Sequence, residues 1–273
     1  MFTRSGYLDC MGVVWLRIGL ILAIAGACSG SAAGGLPRLL LPDLDQRPPL
    51  AVSVRWGGPA SDPRPLLVFT STVENVGYGP LLVKGHRASR RAKTMDAEQL
   101  VELKGGGSKV VDGVGRLRYN VSPTHSHWHL LPFEQYELRT LTGTRIVRDH
   151  KSGFCLNNDY RSPLETLGPP AAHPAKRDDC AKNRPGALAV FEGIAVGWGD
   201  IYIPQKEGQW LDLAGVAAGD YDLVHRVNVG RTLREARYAN DSASLRIRLT
   251  APPTPSDLPT VEILKTCEVG TQC

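Results

Sequence analysis

Apolar and polar residues alternate along several short segments of this chain. In the segment SLRIRLT, Leu245, Ile247 and Leu249 alternate with two arginines. Successive side chains of a β-strand point to opposite faces of a sheet, so this pattern predicts a strand with one buried face. Similar runs, separated by turn residues, recur across residues 51–250. The sequence therefore predicts an all-β fold, a sandwich-like antiparallel domain with long loops.

Several segments depart from this alternation. The polar stretch TMDAEQLVEL at residues 94–103 favours a helix. Residues 34–50 carry four prolines and no period, which predicts a linker or an extended arm laid over the domain. Residues 156–187 are rich in Pro, Asn and Asp and predict a long loop, a type of segment that is usually functional. From residue 251 the run APPTPSDLPT ends the body, leaving residues 251–273 as a C-terminal tail.

Residues 1–33 have the layout of a secretory signal. The apolar run IGLILAIAGA follows an arginine and precedes a series of small residues, so we expect the protein to be exported. Cleavage after Ala27 would leave Cys28 as the first residue. A lipid anchor on Cys28 stays open, because Ala25 stands where such signals usually carry Leu. No other run has the ~20 apolar residues that a membrane span needs, so membrane association is expected only through this segment.

Composition narrows the class of protein. With 273 residues, 42% hydrophobic, and a formal charge of +5, the chain is an ordinary globular protein of one domain plus appendages. Its basic run, HRASRRAK at residues 86–93, has no interleaved aromatic residues. We interpret it as a solvated loop, with a docking patch for an anionic polymer as the weaker alternative. We expect no nucleic-acid partner.

Four of the six cysteines lie beyond the signal segment, an even number in an exported chain. Two disulfides are therefore predicted. Four cysteines allow three pairings, and the pairing that closes the shortest loops is Cys155–Cys180 with Cys267–Cys273.

His125, His127 and His129 occupy alternate positions of a strand-like segment and so share one face. Three neutral imidazoles leave coordination positions open on a metal ion, which suits a catalytic site. On a straight strand the outer two Cα atoms lie about 13 Å apart, so we expect a bend or bulge, with Pro123 and Pro132 marking where regular pairing stops. The alternative is one histidine in the core and two on the surface.

Two further residues, Lys151 and Tyr202, are candidates for the same site because of the segments in which they lie. Residues 141–144 (LTGT) form the turn of a hairpin, which is expected to place the histidine strand beside the strand leading to Lys151. Tyr202 lies in a Gly-rich loop before the strand that begins at Gln209. Taken alone, Lys151 is typical of a surface charge and Tyr202 of a packed aromatic.

Together these stretches resemble the lysyl oxidase family, copper amine oxidases with three ordered motifs. The family pattern is Trp-His-x-Cys-His-x-His-x-His, then Gly-His-Lys-x-x-Phe-Cys, then a Tyr eight residues before a Gln-Trp-Ile-Asp strand. Here the three histidines are followed by HKSGFC at residues 150–155, and Tyr202 precedes Trp210 by eight residues. The resemblance covers roughly residues 50–250 and is specific, because three motifs agree in order.

The resemblance implies a cofactor and a reaction. The three histidines would bind Cu(II), and Lys151 and Tyr202 would be cross-linked into a lysine tyrosylquinone that the protein makes with copper and dioxygen. Such a quinone oxidises primary amines, free or in the lysines of a protein, to aldehydes, with release of ammonia and hydrogen peroxide.

Departures from the family pattern keep alternatives open. Thr124 and Ser122 stand where the animal enzymes carry a cysteine and a further histidine, and cysteines are fewer, so the resemblance is to a minimal, bacterial version. No motif identifies the general base, for which Asp200 and His150 are candidates. The rival functions are a metal-binding or adhesion module that makes no cofactor, and a zinc hydrolase that uses the same imidazoles.

Overall fold

Burial along the strands follows the alternation seen in the sequence. In the strand Ser242–Thr250, Leu245, Ile247 and Leu249 are buried while Arg248 is exposed. The computed structural model describes residues 38–122, 126–149, 151, 153–174, 179–206, 208–254 and 256–273. The signal segment with Cys28, the start of the proline-rich segment, and His125 and His150 lie outside these residues.

The described part of the chain is built of strands, with one turn of 3-10 helix at Asp179–Ala181. In chain order the strands are β1 Leu39–Leu40, β2 Leu44–Gln46, β3 Leu50–Gly57, β4 Arg64–Asn75, β5 Leu81–His86, β6 Thr94–Leu103, β7 Ser108–Val121, β8 Ser126–Leu131, β9 Glu134–Thr140, β10 Arg145–Arg148, β11 Tyr160–Arg161, β12 Ala189–Ile194, β13 Trp198–Tyr202, β14 Trp210–Asp212, β15 Gly219–Val227, β16 Ser242–Thr250 and β17 Thr260–Cys267.

The described strands form three sheets whose ladders are all antiparallel. The first has the order β12-β5-β6-β7-β8, with β1 added to β6. The second has the order β10-β9-β15-β16-β17. In the third, the long strand β4 pairs with β13 and β14 on one side and with β2 and β3 on the other, and β11 extends β13. The predicted all-β antiparallel sandwich is confirmed.

One hydrophobic core joins the three sheets. Its fully buried members include Leu67 and Phe69 of β4, Trp128 and Leu130 of β8, and Tyr136 of β9. Aromatic rings meet edge to face at its centre, with the Phe69 and Tyr136 centroids 4.9 Å apart. The sheets therefore pack as the layers of a sandwich on shared side chains rather than around separate centres.

The predicted helix at residues 94–103 is wrong. This segment is the strand β6, paired with both β5 and β7. Met95, Ala97 and Val101 are buried at alternating positions, which is the period of a strand and not of a helix. Pairing on both sides determines the conformation here, because local preference is weak against a complete ladder.

The predicted neighbour of the histidine strand is also wrong. The turn at residues 141–144 is formed, with Thr140 N donating to Thr144 O (2.8 Å). The hairpin, however, joins β9 to β10, and β8 pairs with β7 in a different sheet. Pairing of β8 is regular from Ser126 to Leu131, so the expected bulge is not found in this described stretch. The strand ends at Leu131, directly before Pro132, while Pro123 lies outside the described residues.

The segments that flank the body also take part in the sheets. Leu44 of β2 is fully buried, and its neighbour Asp43 donates its backbone N–H to Asn75 Oδ1 (3.1 Å). At the other end, β17 pairs with β16 along its length. The described part of the proline-rich segment thus supplies strands that pair within the sheets, and the tail contributes an edge strand.

Both predicted disulfides, Cys155–Cys180 and Cys267–Cys273, are confirmed. The first closes the long loop after Cys155, and the second clips the end of the tail. Among the described residues, no helix has the length and apolar character required to cross a bilayer.

Candidate functional site

Lys151 and Tyr202, 51 positions apart in the sequence, meet in the structure. The Lys151 Nζ atom lies 4.3 Å from the centroid of the Tyr202 ring. Tyr202 ends β13, where it pairs with Ser71 of β4, and is 6% exposed. Lys151 follows β10 and is half-buried. Two different sheets thus deliver an amine and a phenol ring to one place.

The Lys151 side chain is held by contacts on several sides. Its Nζ donates to Gln209 Oε1 (2.8 Å) and lies 4.5 Å from the centroid of the Phe154 ring. Its backbone N–H donates to Asp149 Oδ1 (3.2 Å). At Gly208, where φ is +73°, a Cβ would lie 3.2 Å from the Lys151 side chain, so glycine permits both the turn and the close approach.

The Tyr202 hydroxyl is held by two acceptors. It lies 2.7 Å from both Asp200 Oδ2 and the Cys155 carbonyl oxygen. A phenol has one proton, so it donates to one of these acceptors at a time. Because Cys155 is bonded to Cys180, the disulfide anchors one of the two acceptors.

The pKa values of the Lys151 amine and the Asp200 carboxyl are shifted from their ordinary values. Burial lowers the pKa of Lys151 to about 8, although the charges of Glu134 and Asp200 act in the other direction. Burial, aided by the charge of Asp159, raises the pKa of Asp200 well above its ordinary value. Burial and the Asp200 charge likewise raise the pKa of Tyr202. The site therefore combines an amine that becomes neutral near pH 8 with a carboxyl that takes up a proton easily.

His127 and His129 share one face of β8, with ring centroids 4.7 Å apart. An ion about 2 Å from a ring nitrogen lies roughly 3.2 Å from that ring's centroid, so two imidazoles that share an ion at a right angle have centroids about 4.5 Å apart. The observed separation fits a shared ion. Among the described residues no set of three or more His, Cys, Asp or Glu side chains is arranged to hold a metal, and His125 is outside that set.

The histidine strand lies directly against the lysine segment. Leu130 and Phe154 form a bridge, with Leu130 N donating to Phe154 O (2.8 Å) and Phe154 N to Leu130 O (3.2 Å). Between them and Lys151, Gly153 has φ of +119°, and a Cβ there would lie 2.7 Å from Leu130 O and 3.0 Å from the His129 Cβ. The two motifs therefore meet through backbone contact that only glycine permits.

Three polar residues of this region were missed by the sequence analysis: Glu134, Tyr136 and Gln209. Tyr136 lies 2.7 Å from Glu134 Oε2 and 3.3 Å from Gln209 Oε1 through its hydroxyl. All three side chains are buried. Gln209 stands in the quoted Gln-Trp motif, which is a signal, whereas Glu134 looks like an ordinary polar residue of the alternating strand β9.

The two candidate bases have different outcomes. Asp200 lies at the Tyr202 hydroxyl, so the structure brings it to the predicted pair. His150 lies outside the described residues.

Comparisons with known proteins agree with these motifs. The lysyl oxidase family model matches residues 103–254, more than half of the chain, which therefore belongs to the lysyl oxidase family. Lysyl oxidase homolog 2 of Xenopus laevis is 28% identical over 213 residues, 78% of this chain and 22% of that protein. The proteins of the same name from Xenopus tropicalis and Homo sapiens are 32% and 30% identical over 125 residues, 45% of this chain and 14% of theirs. The matches thus span less than a quarter of these relatives.

Proposed function

We propose that this protein is an exported, copper-dependent amine oxidase that converts primary amines, free or as protein lysines, to aldehydes. Its cofactor is a lysine tyrosylquinone formed from Lys151 and Tyr202. The observation that carries the proposal is the 4.3 Å separation between the Lys151 Nζ atom and the Tyr202 ring centroid. An amine held over a phenol ring is the arrangement that a cross-link between the two requires.

His127 and His129, with His125, would hold the copper ion. Imidazoles in this number bind Cu(II) at the top of the divalent affinity order and leave positions open. The ion and the quinone together would supply the electrophilic carbonyl and the redox capacity with which dioxygen oxidises an amine, giving ammonia and hydrogen peroxide.

The protein's own groups prepare the site for this chemistry. Asp200 and the Cys155 carbonyl fix the Tyr202 oxygen, and Gln209 fixes the Lys151 amine. Lys151 must be neutral to act as a nucleophile, and its pKa of about 8 makes that state accessible near neutral pH. Asp200 is the general base, since its raised pKa suits a group that takes a proton and returns it.

Export agrees with the two disulfides, which persist in oxidising compartments. The predicted signal segment would deliver the chain there.

The deciding experiment is the intact mass and peptide map of copper-loaded, air-exposed protein. We expect a linked Lys151–Tyr202 peptide, visible absorbance and a phenylhydrazine adduct, all lost in Lys151→Ala and Tyr202→Phe while copper binding persists. Matched controls are Lys206→Ala in the neighbouring loop and Tyr160→Phe, which also removes a hydroxyl bonded to a buried carboxylate. A colourless wild type with separate, unmodified peptides would favour a metal-binding or adhesion module.

A further inference from the structure

The half-buried Lys151 amine is bonded to a neutral group. Its Nζ donates to the amide oxygen of Gln209 (2.8 Å), and Gln209 is fully buried. An ammonium removed from water is stable only with a countercharge nearby; otherwise it loses its proton. The source of that countercharge therefore determines whether the Lys151 amine is protonated.

A chain of buried contacts leads from Gln209 to a carboxylate. The Tyr136 hydroxyl lies 3.3 Å from Gln209 Oε1 and 2.7 Å from Glu134 Oε2. The other Glu134 oxygen accepts from the Ser71 hydroxyl (3.1 Å). Glu134 is 7% exposed, and Tyr136 is fully buried. The carboxylate is thus held in place and cannot turn away to solvent.

We propose that Glu134 is a positioning residue for Lys151: its buried carboxylate, held by the Tyr136 hydroxyl, sets the charge of the lysine amine. The inference deepens the proposed function, on which it rests. The Tyr136 hydroxyl has one proton, which the shorter contact assigns to Glu134. Glu134 therefore acts on the amine through its charge.

Other charged and titratable groups also face this pair. Those around Lys151 are Asp149 before it, Asp200 and Tyr202 on β13, and Lys206 in the following loop. Asp149 accepts two backbone N–H groups, from Tyr136 and Lys151, and Asp200 is bonded to Tyr202. These two carboxylates therefore have partners of their own.

The surroundings of Glu134 itself are neutral hydrogen-bonding groups. They are Tyr136, Ser71 and Gln46, with His225 behind Ser71 at 3.0 Å between Nδ1 and the hydroxyl. Burial lowers the pKa of His225 well below its ordinary value, so this imidazole is uncharged. Within these described surroundings, Lys151 is the cation whose charge reaches Glu134, which supports treating the two as one unit.

The test is pulsed acetylation of the copper-free, full-length protein with acetic anhydride between pH 6 and 10. Mass spectrometry follows the Lys151 peptide, with Lys206 as the internal reference. We expect Glu134→Gln to lower the pH midpoint of Lys151 acetylation by about one unit, making Lys151 up to tenfold more reactive at pH 7. Glu134→Asp, which keeps the charge, should stay near the wild-type midpoint.

Tyr136→Phe tests the connection. Without the hydroxyl, the Glu134 carboxylate loses a hydrogen-bond donor that favours its charged form, so the midpoint should fall by less than half of the Glu134→Gln shift. The matched control is Glu74→Gln, an equally buried carboxylate bonded to Tyr160 and Ser162, which should not move the midpoint.

An unchanged midpoint in Glu134→Gln overturns the proposal. If that variant does not fold, Tyr136→Phe decides, and an unchanged midpoint there has the same meaning. Because the labelling needs neither copper nor the cofactor, its outcome is separate from that of the proposed function. A protein that stays colourless with copper and air but shows the predicted shifts would contradict the proposed oxidase function and support the effect of Glu134 on Lys151.

Discussion

Two tyrosines on adjacent strands have nearly the same hydrogen-bonding surroundings, but only one is proposed to become part of a cofactor. Tyr202 of β13 is bonded to Asp200 (2.7 Å), and Tyr160 of β11 is bonded to Glu74 (2.9 Å). Both carboxylates are buried, and burial raises the pKa of both phenols. A buried tyrosine on a carboxylate is therefore not distinctive in this fold.

The difference lies in the cation near each tyrosine. The cation whose charge acts on Tyr160 is Arg47, which pairs with Asp45 and Glu268 at 3.2 and 2.8 Å. A guanidinium does not lose its proton in a protein and is a poor nucleophile. Beside Tyr202 stands Lys151, whose pKa of about 8 lets it become a neutral amine. The comparison teaches that a neutralisable amine, rather than the tyrosine, defines the site.

The largest expected effect is that of Lys151→Arg. This substitution gives Tyr202 the kind of permanent cation that Tyr160 has. We expect complete loss of the cross-link, of visible absorbance and of amine oxidation, with copper binding retained. Peptide mapping after copper and air would check it. Arg47→Lys is the control and should leave Tyr160 unmodified, because a lysine there would still be paired with Asp45 and Glu268 and would keep its charge. Cross-linked product in Lys151→Arg would contradict the role of the neutral amine.

Removing the disulfide near Tyr202 should cost more stability than removing the one in the tail. Cys155 and Cys180 are 25 positions apart, and Cys267 and Cys273 only 6. Loop closure predicts losses of roughly 3.5 and 2.4 kcal/mol in the free energy of unfolding for the paired serine variants.

Guanidinium unfolding measures both losses. Only the first pair should also reduce cross-link yield, because the Cys155 carbonyl is an acceptor for Tyr202. Equal yields in the two double variants would show that the disulfide does not position the tyrosine.

Asp200→Asn and Glu74→Gln compare the two carboxylates directly. Each weakens a buried hydrogen bond to a tyrosine, so each should lower the free energy of unfolding by about 1–2 kcal/mol. Urea denaturation would measure this. Only Asp200→Asn should slow the growth of visible absorbance, and an equal slowing in Glu74→Gln would assign the effect to general destabilisation.

The smallest effect is a pH dependence that belongs to the Lys151 region alone. Burial lowers the pKa of this amine in the folded state to about 8, below its value in an unfolded chain, so the neutral fraction grows from about one tenth at pH 7 to about nine tenths at pH 9. The unfolded chain binds more protons between these two pKa values. Lys151 should therefore make the protein more stable as pH rises through this window, a gain that is absent below pH 7.

Stopped-time assays after copper addition at pH 7, 8 and 9 should show cross-link formation accelerating about tenfold over the range. Lys206→Ala, which removes a positive charge that lowers the pKa of Lys151, should move the profile to higher pH. A flat profile would mean that deprotonation of Lys151 does not limit the reaction.

The fold class could be predicted from the sequence because buried residues recur at every second position of a strand, as Leu245, Ile247 and Leu249 show. The error at β6 has the same origin. Met95, Ala97 and Val101 alternate, but the polar residues between them hide the pattern. The side chain of the buried Gln99 accepts a hydrogen bond from the Arg234 backbone N–H (2.8 Å) and donates one to the Arg234 carbonyl oxygen (2.9 Å). Arg234 is 135 positions away, so the local sequence does not predict this partner.

The site divides in the same way. Spacing alone singled out His125, His127 and His129 as metal ligands, whereas Lys151 and Tyr202 were singled out by the resemblance of their motifs to the lysyl oxidase family. Which groups surround them depended on sheet packing.

By itself, the sequence determined the strand period, the pairing of cysteines by shortest loops and the residues that carry the proposed chemistry. Only the tertiary structure decided that β8 pairs with β7, that Lys151 reaches the Tyr202 ring, and that Glu134 is buried behind Tyr136 and Gln209. The physical reason is that periodicity and loop length are properties of short stretches of sequence. The charge of a buried amine depends instead on groups that distant strands bring within a few ångströms.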